Sequence, residues 1–378
     1  MSWIIGVGLT PFGRAEGESS LDLMSRAATM ALRDAGLERR DVDGLITGYS
    51  TTMPHLMLST VFAEHFGLRP SYAHAVQLGG ATGFAMAALA DHLIRAGAAR
   101  HILVVAGENR MTGQTRDAAV QTLAQVGHPV YEVPLGPTIP AYYALVASRY
   151  MHEHGVAEEE LAELAVLMRA HAARHPGAQF RDPLTVADVM ASKPVAAPLK
   201  RLDCCSVADG GAAFVLARDP AGATRVRIAG SAQVHAHQHV SAAPSLGAFG
   251  VGACVEQAAA AAGIAASDMG YAAIYDSFTI TLAILLEECG LAPRGRAGAL
   301  AREGRFGRGG RVPLNTHGGL LGYGHCGVAG AMAHLVETYD QMAERAGPRQ
   351  VSPPGAALMH GDGGVLSSHV TLVLERTR

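Results

Sequence analysis

Hydrophobic positions along the chain alternate between short apolar runs and longer helical patterns. WIIGVG at residues 3–8 predicts a strand, and residues 20–36 predict an amphipathic helix with Ser20 as its N-cap and Gly36 at its end. The run at 101–109, HILVVAGEN, is apolar over most of its length, as central parallel strands are. Strand, helix and strand in this order predict an α/β fold with right-handed crossovers.

Residues 112–200 interrupt this alternation. They contain a proline-rich stretch, GHPVYEVPLGPTIPAYY, and a charged segment at 158–175 that predicts a helix. We expect the region to form a long excursion that covers one face of the fold. The strand pattern resumes at 210–218 with GGAAFVLAR.

The second part of the chain repeats features of the first. GATGFAMAALADHL at 80–93 is similar to GVAGAMAHLVETY at 327–339, because in both a glycine and small residues lead into an Ala-Met-Ala helix. This similarity indicates an internal duplication. We place the two halves at residues 1–225, which include the excursion, and 226–378.

Composition and charge restrict the possible functions. The 378 residues are 49% hydrophobic and 17% charged, and the net charge of −3 gives no electrostatic signature of nucleic-acid binding. The five cysteines form no CxxC pair and are too few for a disulfide framework. No apolar run is long enough to span a membrane, and the first residues lack the pattern of a signal peptide. We therefore expect a cytoplasmic protein.

Glycine-rich turns are the candidate sites of chemistry. QLGGATGFAMAALA at 77–90 leads a loop of small residues into a helix, so the backbone N–H near Gly80 is available to a developing negative charge. There is no metal-ligand spacing such as HExxH and no Walker or dinucleotide loop. We therefore expect neither a metal nor a nucleotide redox cofactor.

A resemblance to a known family rests on several motifs. NTHGGLLGYGHCGVAGAMAHLVE at 315–337 resembles the histidine motif of thiolases, and RLDCCSVADGGAAFVLA is similar to the end of their N-terminal half. AAIYDSFTI stands where the family carries Asn-Glu-x-Phe, and MHGDGGVLSSH where it carries Cys-x-Gly-Gly-Gly. The chain most resembles lipid-transfer and sterol-carrier-type thiolases and thiolase-like aldolases. This implies two duplicated βαβαβαββ halves in a five-layer α-β-α-β-α arrangement.

The resemblance also assigns positions to the family's catalytic groups. The nucleophilic cysteine falls at Gly80, the second cysteine at His360 and the oxyanion-hole asparagine at Tyr275, so that only the histidine is kept, as His325. Three of the four roles lack their usual residue. We therefore expect that the covalent acyl-enzyme step has been lost.

The remaining groups are suited to retro-aldol cleavage of a 3-hydroxyacyl thioester of coenzyme A. The backbone N–H groups of Gly80 and Gly363 and the imidazole of His325 are candidates to stabilise the thioester enolate. His360 and Tyr275 are candidates to take or return a proton.

Other residues and functions stay open. Cys326 beside the histidine would restore acyl transfer if it were a nucleophile, Asp276 would orient a neighbour or cap the helix that follows, and His128 would reach the site from the excursion. The alternative functions are an acyltransferase without an acyl-enzyme and a non-catalytic subunit that binds lipid or a partner. The resemblance implies a homodimer formed through the N-terminal half, and a partner protein with a zinc ribbon and an OB-fold.

Overall fold

The computed structural model describes residues 2–220 and 225–377. In this part of the chain the strands are β1 Trp3–Leu9, β2 Gly44–Gly48, β3 Tyr72–Val76, β4 His101–Asn109, β5 Pro194–Ala196, β6 Leu199–Lys200, β7 Asp209–Ala217, β8 Arg225–His235, β9 Tyr271–Ile274, β10 Ala356–Gly363 and β11 Ser368–Thr377. The α-helices are α1 Ser20–Ala35, α2 Leu58–Phe66, α3 Thr82–Arg95, α4 Arg116–Ala124, α5 Ile139–His154, α6 Glu158–Ala172, α7 Val186–Ala191, α8 Val251–Ala262, α9 Thr279–Glu288, α10 Ala297–Arg302, α11 Gly319–Gly322 and α12 Val328–Met342. None of these helices is long and apolar enough to cross a membrane.

Strand order confirms the internal duplication. Nine strands form one mixed sheet in the order β3-β2-β4-β7-β1-β8-β11-β10-β9, and β5 and β6 form a separate hairpin. Outward from the β1–β8 junction, the first half runs β1, β7, β4, β2, and the second half runs β8, β11, β10, β9. Leaving out β3 and the β5–β6 hairpin, each half therefore places its first strand at the junction, followed by its last, its penultimate and its second strand. The first half adds a third strand, β3, at its edge. In the second half that position is reduced to a single bridge between Ala272 and Leu314, where Pro313 cannot donate a ladder hydrogen bond.

Helices pack against the sheet in layers. Helices α3 and α12 contact each other and lie between the strands of the two halves, whereas α1 covers β1, β4 and β7, and α8 covers β8 and β11 on the outside. The resulting order of layers is α-β-α-β-α. The two similar helical motifs therefore form the central layer, and their N-terminal ends meet inside the molecule.

The first helix begins one residue earlier than the cap assignment predicted. Ser19, rather than Ser20, is the N-cap, because its hydroxyl accepts the N–H of Asp22 while the Asp22 carboxylate accepts the N–H of Ser19. Gly36 ends the helix with φ of 67°, as expected.

The excursion at 112–200 is mostly helical rather than a long loop. It contains α4, α5, α6 and α7 together with the β5–β6 hairpin. The charged segment forms α6, as predicted, and buries Leu161, Leu164 and Met168. The predicted boundary between the halves, after residue 225, lies at the start of β8 and directly follows 221–224, which are outside the described residues.

Candidate active site

Two predicted site residues, Tyr275 and His325, meet between the two halves. The hydroxyl oxygen of Tyr275 lies 3.1 Å from Nε2 of His325. Tyr275 follows β9, and His325 lies in the turn between α11 and α12. The structure thus joins the end of a strand to the beginning of a central-layer helix, as sites in α/β proteins commonly do.

Backbone contacts fix both residues. The side-chain amide of Asn315 bonds both the N–H and the C=O of Ile274, and the N–H of Tyr275 donates to the carbonyl oxygen of His360. The N–H of His325 donates to the carbonyl oxygen of Ser206 at 2.9 Å. The phenol and the imidazole are therefore held at a defined distance by the strands behind them.

His325 is a neutral hydrogen-bond donor. Its Nδ1 accepts the N–H of Gly327 at 3.2 Å and lies 3.3 Å from Nη1 of Arg110, and both of these partners can only donate. The ring proton is therefore assigned to Nε2, which faces Tyr275. Burial, and next the charge of Arg110, lower the pKa of His325 to about 3. The imidazole therefore stays neutral at physiological pH and presents an N–H to the site.

Tyr275 is a neutral phenol. It is buried, and this burial raises its pKa well above the usual value, with further contributions from Cys205 and Asp362. A phenol with a raised pKa donates a hydrogen bond and holds its proton until a strong base forms beside it.

The ring of Tyr275 fills the space beside Gly80. A Cβ added to Gly80 would overlap Cζ and Oη of Tyr275 and the carbonyl oxygen of Asp362. Residues 79–80 also approach the turn after β10 closely, since a Cβ on Gly79 would lie 3.1 Å from the Cα of Gly363. The absence of a side chain at residue 80 is what makes room for the phenol.

Asp362 is a site residue that the sequence interpretation passed over. One carboxylate oxygen accepts the hydroxyl of Tyr143 at 3.0 Å, and the other is buried without a hydrogen-bond partner. Burial raises the pKa of Asp362 well above the ordinary carboxyl range. A desolvated carboxylate with an open oxygen is suited to accept a proton near neutral pH.

Comparisons with known proteins identify the family. Residues 2–220 match the family described as "Thiolase, N-terminal domain", and 232–376 match "Thiolase C-terminal domain-like". The chain belongs to the thiolase family. The fold class expected from the sequence is thereby confirmed.

Individual relatives include enzymes of two kinds. A steroid side-chain-cleaving aldolase of Thermomonospora curvata is 34% identical over 87% of this chain and 88% of its own length. An acetyl-CoA acetyltransferase of Methanothermobacter thermautotrophicus is 30% identical over 97% of this chain and 98% of its own length. The solved structure of an Ltp2-ChsH2(DUF35) aldolase superposes with a TM-score of 0.86, at 31% identity, over 100% of this chain and 98% of that one.

Within this thiolase fold, His360 does not join the other predicted groups. Its Nδ1 lies 2.8 Å from the hydroxyl of Thr371 and its Nε2 lies 3.2 Å from Nδ1 of His369, so both ring nitrogens have partners on β11. Only its backbone carbonyl takes part, through Tyr275. Asp362, two residues further along β10, is the residue of this strand whose side-chain charge acts on the phenol.

The three residues held as further possibilities occupy different places. Cys326 is fully buried, and burial together with the charge of Glu108 raises the pKa of its thiol, which disfavours a thiolate nucleophile. Nδ1 of His128 accepts the N–H groups of Val130 and Tyr131, and its ring packs against the rings of Tyr131 and His239.

Asp276 orients a neighbouring segment and does not cap the helix that follows it. Its carboxylate accepts the N–H groups of Leu320 and Leu321 and lies 3.2 Å from Nε2 of His334. The N-cap position of α9 is Phe278. Asp276 thus ties the strand that carries Tyr275 to the segment that leads to His325.

Arg110, Tyr143 and Asp362 are the functional candidates that sequence reasoning missed. Arg110 directly follows β4, a central strand, and residues at the ends of such strands are a general signal for a site. Asp362 stands within the quoted HGDGG stretch. Tyr143 comes from the excursion, and nothing in its sequence pattern indicated that it would reach Asp362.

Proposed function

We propose that this thiolase-family enzyme cleaves the C2–C3 bond of a 3-hydroxyacyl-CoA by a retro-aldol reaction. The observation that carries the proposal is that a phenol takes the place of a nucleophile at the centre of the site. A phenol occupies the space beside Gly80 in which a nucleophilic side chain would stand, and a buried carboxylate with an open oxygen lies next to it. The aldolase relatives support the same reaction class.

The net reaction moves one proton from the C3 hydroxyl to C2, and Asp362 and Tyr275 relay it. Asp362 takes the proton of the C3 hydroxyl, the C3–O bond becomes a carbonyl, and the C2–C3 electron pair passes to the thioester as an enolate. Tyr275 then protonates C2 and recovers a proton from Asp362. The products are an aldehyde or ketone and a shortened acyl-CoA, and no atom of the enzyme becomes covalently bound.

The neutral His325 stabilises the intermediate. Its Nε2–H donates to the thioester oxygen as negative charge develops there, assisted by the backbone N–H of Gly80 at the beginning of the central helix. One such donor contributes on the order of 3 kcal/mol to transition-state stabilisation. A histidine whose proton is fixed on Nε2 suits this role better than the role of a base.

Substrate and partners are inferred from the relatives. The steroid side-chain-cleaving aldolase favours an acyl group of the sterol side-chain type, and the Ltp2-ChsH2(DUF35) aldolase favours a partner subunit of the DUF35 type. We infer that this partner carries the zinc ribbon and OB-fold that the family resemblance implies. We also infer a homodimer through the N-terminal half. Strand β3 pairs only with β2 among the described residues, and the side chain of Leu56 in the adjoining loop is fully exposed. Light scattering of the purified protein measures its oligomeric state.

Acyl transfer through an enzyme-bound intermediate is the competing function. The acetyl-CoA acetyltransferase relative favours it. The site opposes it, because Gly80 offers no nucleophile and the buried thiol of Cys326 is held in its protonated form.

Two variants test the proposed reaction. Tyr275→Phe removes the proton donor, and Asp362→Asn removes the base while keeping an acceptor for Tyr143. Each is expected to lower the rate of aldehyde or ketone release from a 3-hydroxyacyl-CoA about 100-fold or more. The assay is run with and without a zinc-ribbon and OB-fold partner, and thermal unfolding confirms that each variant is folded.

Matched controls are available on the surface. Tyr131→Phe and Asp268→Asn make the same chemical changes at exposed positions and should leave the rate within twofold. Full activity in either Tyr275→Phe or Asp362→Asn would refute the assigned roles.

A further inference from the structure

Arg110 places an unpaired positive charge behind the site. Its guanidinium forms no ion pair with a carboxylate among the described residues, and its Nε is buried without a hydrogen-bond partner. The contact it does make is from Nη1 to Nδ1 of His325, at 3.3 Å. Arg110 is half-buried, and partial desolvation of a guanidinium that lacks a carboxylate is costly, so its position calls for a functional explanation.

Neighbouring carboxylates hold the backbone around Arg110 instead of neutralising its charge. Asp209 accepts the N–H of Met111 at 2.6 Å and that of Thr112 at 3.2 Å. Glu108, two residues before Arg110, uses one oxygen to accept the N–H and hydroxyl of Thr51, and its other oxygen is buried without a hydrogen-bond partner. The backbone after Arg110 is therefore fixed by Asp209, and no carboxylate of the described residues bonds to the guanidinium.

The contact lies on the far side of the imidazole from the reacting groups. Nδ1 faces Arg110, and Nε2 faces the Tyr275 hydroxyl. Because a guanidinium can only donate, Arg110 shares the Nδ1 lone pair with the N–H of Gly327, and both partners leave the ring proton on Nε2. Its charge also disfavours a second proton on the ring and strengthens the Nε2–H as a donor to an oxyanion.

We propose that Arg110 is a positioning residue that, together with the N–H of Gly327, holds the His325 ring with its proton on Nε2 and directed at the substrate oxygen. The effect of Arg110 on catalysis rests on the proposed function. The state of the imidazole itself can be measured without any substrate, so the two can fail separately.

Nitrogen NMR of histidine-labelled protein tests the proposal. The His325 signals are assigned from their absence in His325→Asn, and wild type is compared with Arg110→Gln and Arg110→Lys. In Arg110→Gln the Nδ1 signal of His325 should shift at neutral pH, because this nitrogen loses a charged donor. The pH of half-protonation should rise, because a positive charge beside the ring is removed. Arg110→Lys should retain most of the wild-type behaviour, since it keeps the charge.

Kinetics provide the second readout. Arg110→Gln should lower kcat about tenfold or more with less than a threefold change in KM, and Arg110→Lys should recover part of the loss. Arg116→Gln, at an exposed position on α4, is the matched control and should change neither readout. An unchanged Nδ1 signal in Arg110→Gln would overturn the proposal. So would an effect confined to KM, which would make Arg110 a substrate-binding residue. If the NMR change occurs but no cleavage is found in wild type, the proposed function fails and the role of Arg110 toward His325 stands.

Discussion

At the scale of single residues, the site is explained by two positions that depend on each other. Gly80 has no side chain, and the Tyr275 ring occupies the space that a Cβ would need. A nucleophile at one position and a phenol at the other cannot share this volume in the observed conformation. The loss of a cysteine and the gain of a proton donor are therefore two aspects of one change in the chemistry.

Replacing Gly80 with cysteine should consequently fail to create an acyltransferase. The new Cβ would overlap both the phenol and the Asp362 carbonyl, and the carbonyl belongs to a strand that cannot easily move. We expect C–C cleavage to fall at least tenfold and stability to drop by about 1–3 kcal/mol. Denaturant unfolding and the product assay measure these changes.

Gly355→Cys is the control for this substitution, because a Cβ at Gly355 meets nothing within 4 Å. It should leave both quantities nearly unchanged. A Gly80→Cys protein that retains full activity and stability would show that the Tyr275 ring can leave the space beside residue 80, which would contradict this account.

The sequence indicated some of these residues and missed others for identifiable reasons. His325 was found because its glycine pattern is distinctive, and the Tyr275 position followed from a neighbouring motif. The second cysteine was placed at His360, but that side chain turns toward Thr371 and His369. Asp362 lies beyond the residue that pairs with Ile274, near the end of β10. Whether the side chain of His360 or that of Asp362 reaches the site depends on the register of β9 and β10, which the sequence alone does not reveal.

At the scale of elements, the site depends on how α11 and α12 pack against the end of β9. Behind it lies a buried histidine, His317, whose two ring nitrogens have no hydrogen-bond partner and whose ring packs edge-on against His334. Burial, and then the charge of His334, lower the pKa of His317 well below its usual value. This residue is therefore neutral in the folded protein and protonated below about pH 6.5 in the unfolded chain.

His317 should make the protein sensitive to acid. A histidine with a lowered pKa in the folded state costs stability as pH falls below its unfolded value, by about 1.4 kcal/mol per pH unit. His317→Leu should therefore reduce the loss of unfolding free energy between pH 7 and pH 5 by about 2 kcal/mol. Denaturant titrations at pH 7 and pH 5 measure this loss of unfolding free energy.

The corresponding control is His152→Leu at an exposed position on α5. It should leave the pH dependence of stability as in wild type. An equal loss of stability in wild type and His317→Leu would contradict the assignment of a buried neutral imidazole.

Elements differ in how well the sequence predicts them. The repeated Ala-Met-Ala segments gave α3 and α12 correctly, because small residues and a glycine begin both helices. Residues 112–200 were predicted as a loop excursion with one helix, which is α6, but they also form α4, α5 and α7. Their helices α4 and α5 carry weak or interrupted periodicity, with prolines between them, so local pattern did not reveal structure that tertiary packing supports.

At the scale of the whole molecule, the site exists only where the two halves meet. The first half supplies Gly80, Arg110 and Tyr143, and the second supplies Tyr275, His325 and Asp362. The halves are joined through the β1–β8 pairing, through α3 against α12, and through a bidentate pair of Arg345 with Asp34 at 2.7 and 2.8 Å. Duplication was visible in the sequence, whereas the side chains that the junction brings together were not.

The central claim is that this thiolase fold breaks a C–C bond without a covalent intermediate. Intact-protein mass spectrometry during turnover of a 3-hydroxyacyl-CoA, with the small products analysed from the same mixture, tests it most directly. We predict no added acyl mass on the protein, together with release of an aldehyde or ketone and a shortened acyl-CoA. An acyl adduct that forms and decays at the rate of turnover would contradict this account and assign the protein to the acyltransferases.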